Sequence, residues 1–218
     1  MGLVKIVGAV FAAVLLCLSS YWIWRVVEAR IATPGLIAEI LADADPSLLD
    51  LSRTRIDSLI ALEDPTFWEN DGIDLRTPGQ GLTTLTQALG KRIYFDPFSP
   101  GFRKFELMFI SKYALSRMVS KDDILQGFMN VAYMGRDADG PIIGLGEGAR
   151  RWYGRDVSQI SDDEYLGLIA MLVAPEHYDP VRHKDANAQR AGRIKKWRAG
   201  KCAPDGLRDV LLEGCANQ

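Results

Sequence analysis

A pair of carboxylates beside an aromatic, followed by a face of hydroxyl, amide and ammonium groups, forms the chemical centre of this sequence. Glu63-Asp64 opens the stretch EDPTFWENDGID, with Phe67 close behind, and QGLTTLTQALGK follows over 80–91. In a helix over 83–93, Leu82, Leu85, Leu89 and Ile93 fall on one face by their spacing of three and four. Thr84, Gln87 and Lys91 line another. A carboxylate opposite such groups suits a reaction that needs a base and an anion clamp. Other chemistries are closed off. The 2 histidines, His177 and His183, cannot make a HExxH zinc site, and no GxSxG elbow occurs.

The elements that must position these groups read as helices. Asp45-Pro46 starts one, a capping aspartate before a first-turn proline, and its apolar stripe runs from Leu48 to Ile60 just ahead of Glu63. DPFSPG at 96–101 is turn chemistry, and a long apolar helix follows from Phe102 to Met118. Ser120 with Asp123 caps another through Tyr133. GRDADGPIIGLGEG at 135–148 reads as a flexible loop feeding a helix over 147–153. Its spaced glycines resemble a dinucleotide loop only superficially, because no strand precedes them. Ser161 with Glu164 caps an almost wholly apolar helix to Val173, which should lie in the core, and Pro175 ends it. Residues 182–201 hold eight Lys or Arg against one Asp. That pattern reads as a solvated helix face, or one touching anionic headgroups.

Composition adds an anchor. Charged residues are 25% and the net charge is −2, which gives no electrostatic footprint for nucleic acid. Residues 6–24 carry no charge between Lys5 and Arg25, long enough to cross the hydrocarbon core as a helix. Tyr21, Trp22 and Trp24 crowd its end, where aromatic rings favour the interface. A cleaved signal peptide would show a small-x-small site before Arg25, and none is present. Flanking charges are nearly tied and leave the orientation open. The expected organisation is a transmembrane anchor at 6–24, a juxtamembrane segment at 25–45 interrupted by Pro34-Gly35, a helical domain at 46–200 and a tail at 201–218. Cys202 and Cys215 in that tail pair if the domain faces an oxidising compartment, and are free thiols otherwise.

Five motifs, in order, resemble glycosyltransferase family 51, the peptidoglycan glycosyltransferases that polymerise lipid II. EDPTFWENDGID is similar to E-D-x-x-F-x-x-H-x-G, and GLTTLTQALGK to G-G-S-T-I-T-Q-Q-L-x-K. FRKFE at 102–106 resembles R-K-x-x-E, and SKDDILQGFMNVAYMG at 120–135 resembles S-K-x-x-I-L-E-x-Y-L-N-x-x-Y-x-G. GARRWYGR with Pro175, Tyr178 and Pro180 follows A-A-x-x-Y-F-G-K and A-P-x-x-Y-x-P. The resemblance covers about residues 55–185. It implies a mainly α, lysozyme-like domain beside one N-terminal transmembrane helix, single-pass in the bacterial cytoplasmic membrane, with the domain on the periplasmic or extracytoplasmic side. It makes Glu63 the general base and Glu106 a second carboxylate that handles the pyrophosphate and a divalent cation, Mg or Mn. Asp64, Phe67, Thr84, Thr86, Gln87, Lys91, Arg103, Lys104, Lys121 and Asn130 become substrate-binding residues. Partners would be lipid II, the growing glycan strand, the membrane and cell-wall synthesis proteins. No transpeptidase domain fits after residue 218, so the expected enzyme is monofunctional.

The departures bear on activity. The family histidine is Asn70, the second glycine of G-G-S-T is Leu82, the second glutamine is Ala88, and the glutamate of I-L-E is Gln126. Counting from Lys91 puts the third-motif glutamate at Leu107, and counting back from Lys121 puts it at Met108. Glu106 is thus about 100° or 200° away around a straight helix, unless a bulge restores it. A degenerate member that binds lipid-linked glycan or a cell-wall synthesis partner without turnover is the alternative. A lysozyme-like hydrolase would need carboxyls flanking the scissile bond.

Overall fold

The computed structural model describes residues 2–95, 97–99 and 101–216, so Asp96 and Pro100 of the expected 96–101 turn lie outside the described residues. The architecture is mainly helical. Helix α1, Gly2–Ala42, is followed by a 3-10 turn, Pro46–Leu48, and α2, Arg53–Glu63. Helices α3 (Leu85–Tyr94) and α4 (Phe102–Ile110) come next. A π turn, Ser111–Leu115, joins α4 to a short α5, Ser116–Met118. Helix α6, Lys121–Val131, leads into a hairpin of β1 (Tyr133–Asp137) and β2 (Gly140–Ile143). Helices α7 (Leu145–Tyr153), α8 (Asp162–Ala170) and α9 (Lys184–Arg198) complete the set, before a final 3-10 turn at Glu213–Cys215.

The capping side chains act as the sequence suggests, except that Asp45-Pro46 opens only the 3-10 turn, and the helix leading to Glu63 starts at Arg53 under a Ser52 cap. Asp45 accepts from the Ser47 amide, Ser120 from the Asp123 amide, and Ser161 with Glu164 closes a full capping box. Leu168, Ile169 and Ala170 of α8 are wholly buried, which makes this helix the centre of the main core.

Helix α1 departs from expectation. It runs unbroken through Pro34-Gly35 to Ala42, although an interior proline forfeits a backbone hydrogen bond. Tertiary packing offsets that loss. Ala29, Thr33 and Ile37 are buried, Thr33 Oγ1 donates to the Ala29 carbonyl, and the Thr33 and Tyr94 hydroxyls share a hydrogen bond. Higher up, Trp22 lies against Phe102 and Phe109 with ring centroids 5.6 and 4.9 Å apart. No residue of its most apolar stretch, mean hydropathy 2.3, is buried, and by length and composition this helix can cross a membrane.

The 135–148 segment also differs: instead of a loop it holds an antiparallel hairpin pairing Tyr133 with Ile143 and Asp137 with Gly140. Met134 and Ile142 supply the buried apolar side chains of the hairpin, too short an alternation to announce strands in the sequence. The Cys202–Cys215 pair is a disulfide, with its Cα atoms 5.3 Å apart.

Candidate active site

Glu63 ends α2 and faces a cleft of about 440 Å³. Lys91, Arg92, Tyr133 and Arg190 line the same cleft, together with the 79–83 loop. Burial raises the Glu63 pKa to about 7, with the Asp64 charge acting in the same sense, against the pull of Arg190 and Lys91. A carboxylate so placed is a competent base near neutrality, because its proton affinity matches the working pH. Lys91 makes no hydrogen bond or ion pair among the described residues. Burial and the adjacent Arg92 lower its pKa, and Glu63 raises it.

Asp64 is the hinge between the two motifs rather than a cleft group. Fully buried, it accepts from the Leu85 amide at 3.0 Å and from Asn70 Nδ2 at 2.7 Å. It thereby ties the end of α2 to the first turn of α3. Burial raises its pKa to about 6 despite those donors. Asn70, standing where the family has histidine, supplies the donor and also receives the Gly72 amide at 2.9 Å. Lys121 closes this corner. Its ammonium donates to the Asn70 carbonyl at 2.7 Å and sits 4.6 Å from the centroid of the buried Phe67 ring.

The face predicted around Thr84 is mostly inward bracing. Thr84 Oγ1 and Gln87 Nε2 both donate to the Gly72 carbonyl, at 2.9 and 3.2 Å. Gly72 has φ +90° and lies so close to the π turn that a Cβ there would sit 2.8 Å from the Ser111 carbonyl. Thr86 is buried with its hydroxyl unpartnered among the described residues. Lys104 donates to the Leu82 carbonyl (2.8 Å), Thr83 Oγ1 (3.1 Å) and Gln87 Oε1 (2.7 Å), pinning the loop to α3. Burial, helped by Lys91, lowers its pKa to about 8. Arg103 is turned outward onto the Pro97 carbonyl at 2.9 Å. Asn130 receives the Asp45 amide at 2.8 Å and donates to the Gln126 carbonyl, bracing the end of α1 against α6.

Glu106 is not in the cleft. It is 3% exposed, its carboxylate takes Arg25 Nε of α1, and the Tyr21 hydroxyl donates to it at 3.4 Å. The π turn lies beyond it at 111–115 and so cannot swing it back past Lys104. The two motif counts differ by one residue, and a π turn is where a helix absorbs one, which favours the count ending on Leu107. Leu107 is fully buried against Gly90 of α3. A divalent cation held by Glu106 does not fit this donor set. The carboxylate is committed to Arg25 and Tyr21, and no three metal-binding side chains gather among the described residues.

Arg190 was hidden in the sequence by the basic run around it. It is 1% exposed, its Nε donates to the Ala170 carbonyl at 3.0 Å, and its guanidinium lies 5.6 Å from the centroid of the Tyr178 ring. The basic helix is therefore not solvated all round; one arginine of it enters the core and reaches the cleft. Gln80 and Arg92 are further cleft residues, and only their adjacency to recognised motifs marked them.

The helical domain thus presents a partly buried carboxylate to a cationic cleft. The Transglycosylase family pattern matches residues 42–197, and the chain belongs to that family, with its lysozyme-like fold. The chain is similar to penicillin-binding protein 1B of Vibrio cholerae, 26% identical over 181 residues, covering 75% of this chain and 23% of that protein. Penicillin-binding protein 2a of Streptococcus pneumoniae is 31% identical over 156 residues, covering 67% of this chain and 21% of that one. Penicillin-binding protein 1B of Escherichia coli K12 is 31% identical over 152 residues, covering 64% and 18%. The chain thus spans about a fifth of the length of these relatives.

Proposed function

We propose that this protein is a membrane-anchored peptidoglycan glycosyltransferase that extends glycan strands from lipid II. The observation that carries the reading is Glu63, poised near neutrality and facing Lys91 and Arg190 across one cleft. Glu63 takes the proton from the acceptor sugar's 4-hydroxyl as that oxygen bonds to the anomeric carbon of the lipid-linked donor. The bond from that carbon to the pyrophosphate breaks, and undecaprenyl pyrophosphate departs with the electron pair. Lys91, Arg92 and Arg190 balance the charge that grows on the leaving group. No step is assigned to a metal, because the proposed ligand Glu106 is committed elsewhere.

The disulfide between Cys202 and Cys215 supports an extracytoplasmic domain, since such bonds persist in oxidising compartments. Helix α1 would then hold the cleft at the height of the lipid pyrophosphates. The contact of Glu106 with Arg25 favours one second reading, a member that binds lipid-linked glycan without turnover. Lipid II polymerisation by the full chain in detergent, beside Glu63→Gln, separates the two. Polymer from the wild type alone supports the transferase. No polymer from either, with lipid II still bound, refutes it and leaves the binding role.

A further inference from the structure

The C-terminal tail is built into the cleft wall. The amides of Gly79 and Gly81 donate to the carbonyls of Gly206 and Leu207, both at 3.1 Å, so the tail pairs with the loop ahead of Thr84 as a short ladder. Contact there is tight enough to require glycine. A Cβ on Gly79 would meet Pro204 at 2.7 Å, and one on Gly81 would meet Val210 at 2.9 Å. Val210 itself lines the cleft. The tail is fastened at several points: Leu212 and Cys215 are buried in the main core, Glu213 pairs with Arg193 of α9 at 2.6 Å, and the Cys202–Cys215 bond closes the segment.

Between those two pinned glycines sits Gln80. Gln80 is 8% exposed and is one of the residues lining the cleft that holds Glu63, and neither its Oε1 nor its Nε2 has a partner among the described residues. A buried carboxamide lacking both its donor and its acceptor contact is costly, so the site gains by a ligand that offers both. An amide on a sugar ring does so, presenting an N–H to Oε1 and a carbonyl to Nε2.

We propose that Gln80 is a specificity-determining residue that recognises the acylamino group of a sugar bound beside Glu63, and that the disulfide-closed tail is the positioning element that presents it. The inference rests on the glycosyl-transfer reading for the identity of the cleft, but it concerns binding rather than turnover. It also gives the tail a role the sequence did not suggest, since 201–218 reads there only as an appendage.

The test is equilibrium binding to the full chain in detergent micelles. The probes are a disaccharide of β-1,4-linked N-acetylglucosamine and its analogue with hydroxyls in place of the acetamido groups. Wild type should prefer the acylated sugar, and Gln80→Ala should erase about tenfold of that preference, the size of two neutral hydrogen bonds left unmade. The Cys202→Ser/Cys215→Ser pair should weaken the acylated sugar in the wild-type background, yet add less than about twofold on top of Gln80→Ala, because coupled residues are not additive. Equal binding of the two sugars by wild type, an unchanged preference in Gln80→Ala, or additive losses would each overturn the proposal. If the cysteine variant loses its helical circular dichroism, the Gln80→Ala arm decides by itself. Catalytic silence with selective sugar binding would sink the transferase and leave this inference standing.

Discussion

Replacing Glu63 by glutamine should change how stability depends on pH, and the size of that change follows from the burial of one carboxyl. Its pKa rises from the ordinary 4.5 to about 7 on folding. A group whose folded pKa is raised favours folding fully below its unfolded value and loses that benefit as pH climbs through the folded one. Over that interval of about 2.5 on the pH scale, at about 1.4 kcal/mol each, ionising Glu63 withdraws about 3.5 kcal/mol, and nearer 2 with the group still open to cleft water. Glutamine does not titrate. The wild type should therefore lose stability relative to Glu63→Gln from about pH 5, with the difference levelling off above about pH 7.5. Asp64 titrates in both proteins, so the difference between them reports Glu63 together with its coupling to Asp64. Urea unfolding in detergent, followed by helical signal at half-unit steps of pH, measures the difference directly. Parallel curves across that range would refute the claim that Glu63 is desolvated, and with it the argument for a base poised near neutrality. The same titration should appear in turnover, as a rise in kcat/KM through about pH 7.

Glu106→Gln should leave lipid II polymerisation within about threefold while lowering the melting temperature, since it unpairs Arg25 in a partly buried contact that typically costs about 1–3 kcal/mol; loss of turnover with unchanged stability would place the carboxylate in the chemistry after all. Asn70→Ala removes the donor to buried Asp64 and should destabilise by about 1–3 kcal/mol by urea unfolding, whereas Asn70→His, which restores a donor, should recover part of that. Lys104→Met frees three acceptors on the 82–87 segment and should raise proteolytic cutting within 79–83 several-fold; an unchanged cleavage rate would mean the tail alone holds that loop. Cys202→Ser/Cys215→Ser should cost about 3 kcal/mol of stability for the short loop it opens, by the same unfolding measurement.

What the sequence determined was whatever short-range chemistry decides. The caps at Asp45, Ser120 and Ser161 satisfy helix amides two or three residues on, so their signal is local. The spacing that set Leu85 and Leu89 on one face of α3 is likewise a property of the helix alone, and both residues are buried. The uncharged run at 6–24 needed only counting, and the motif order led to Glu63 and to the family. Tertiary structure decided everything that depended on which neighbour a side chain met. Helix α1 passes through Pro34 because Thr33 and Ile37 are buried there, a contact invisible to local propensity. Arg190 looks like its basic neighbours until α9 docks on α8 and carries it into the core beside Glu63. Glu106 lies in a helix that the sequence located correctly, yet what its carboxylate meets is Arg25, 81 positions earlier in the chain. Gln80 becomes a candidate only because a tail more than a hundred residues downstream folds back on its loop. Such contacts join segments whose separation carries no periodic signal, and only the packed molecule brings them together.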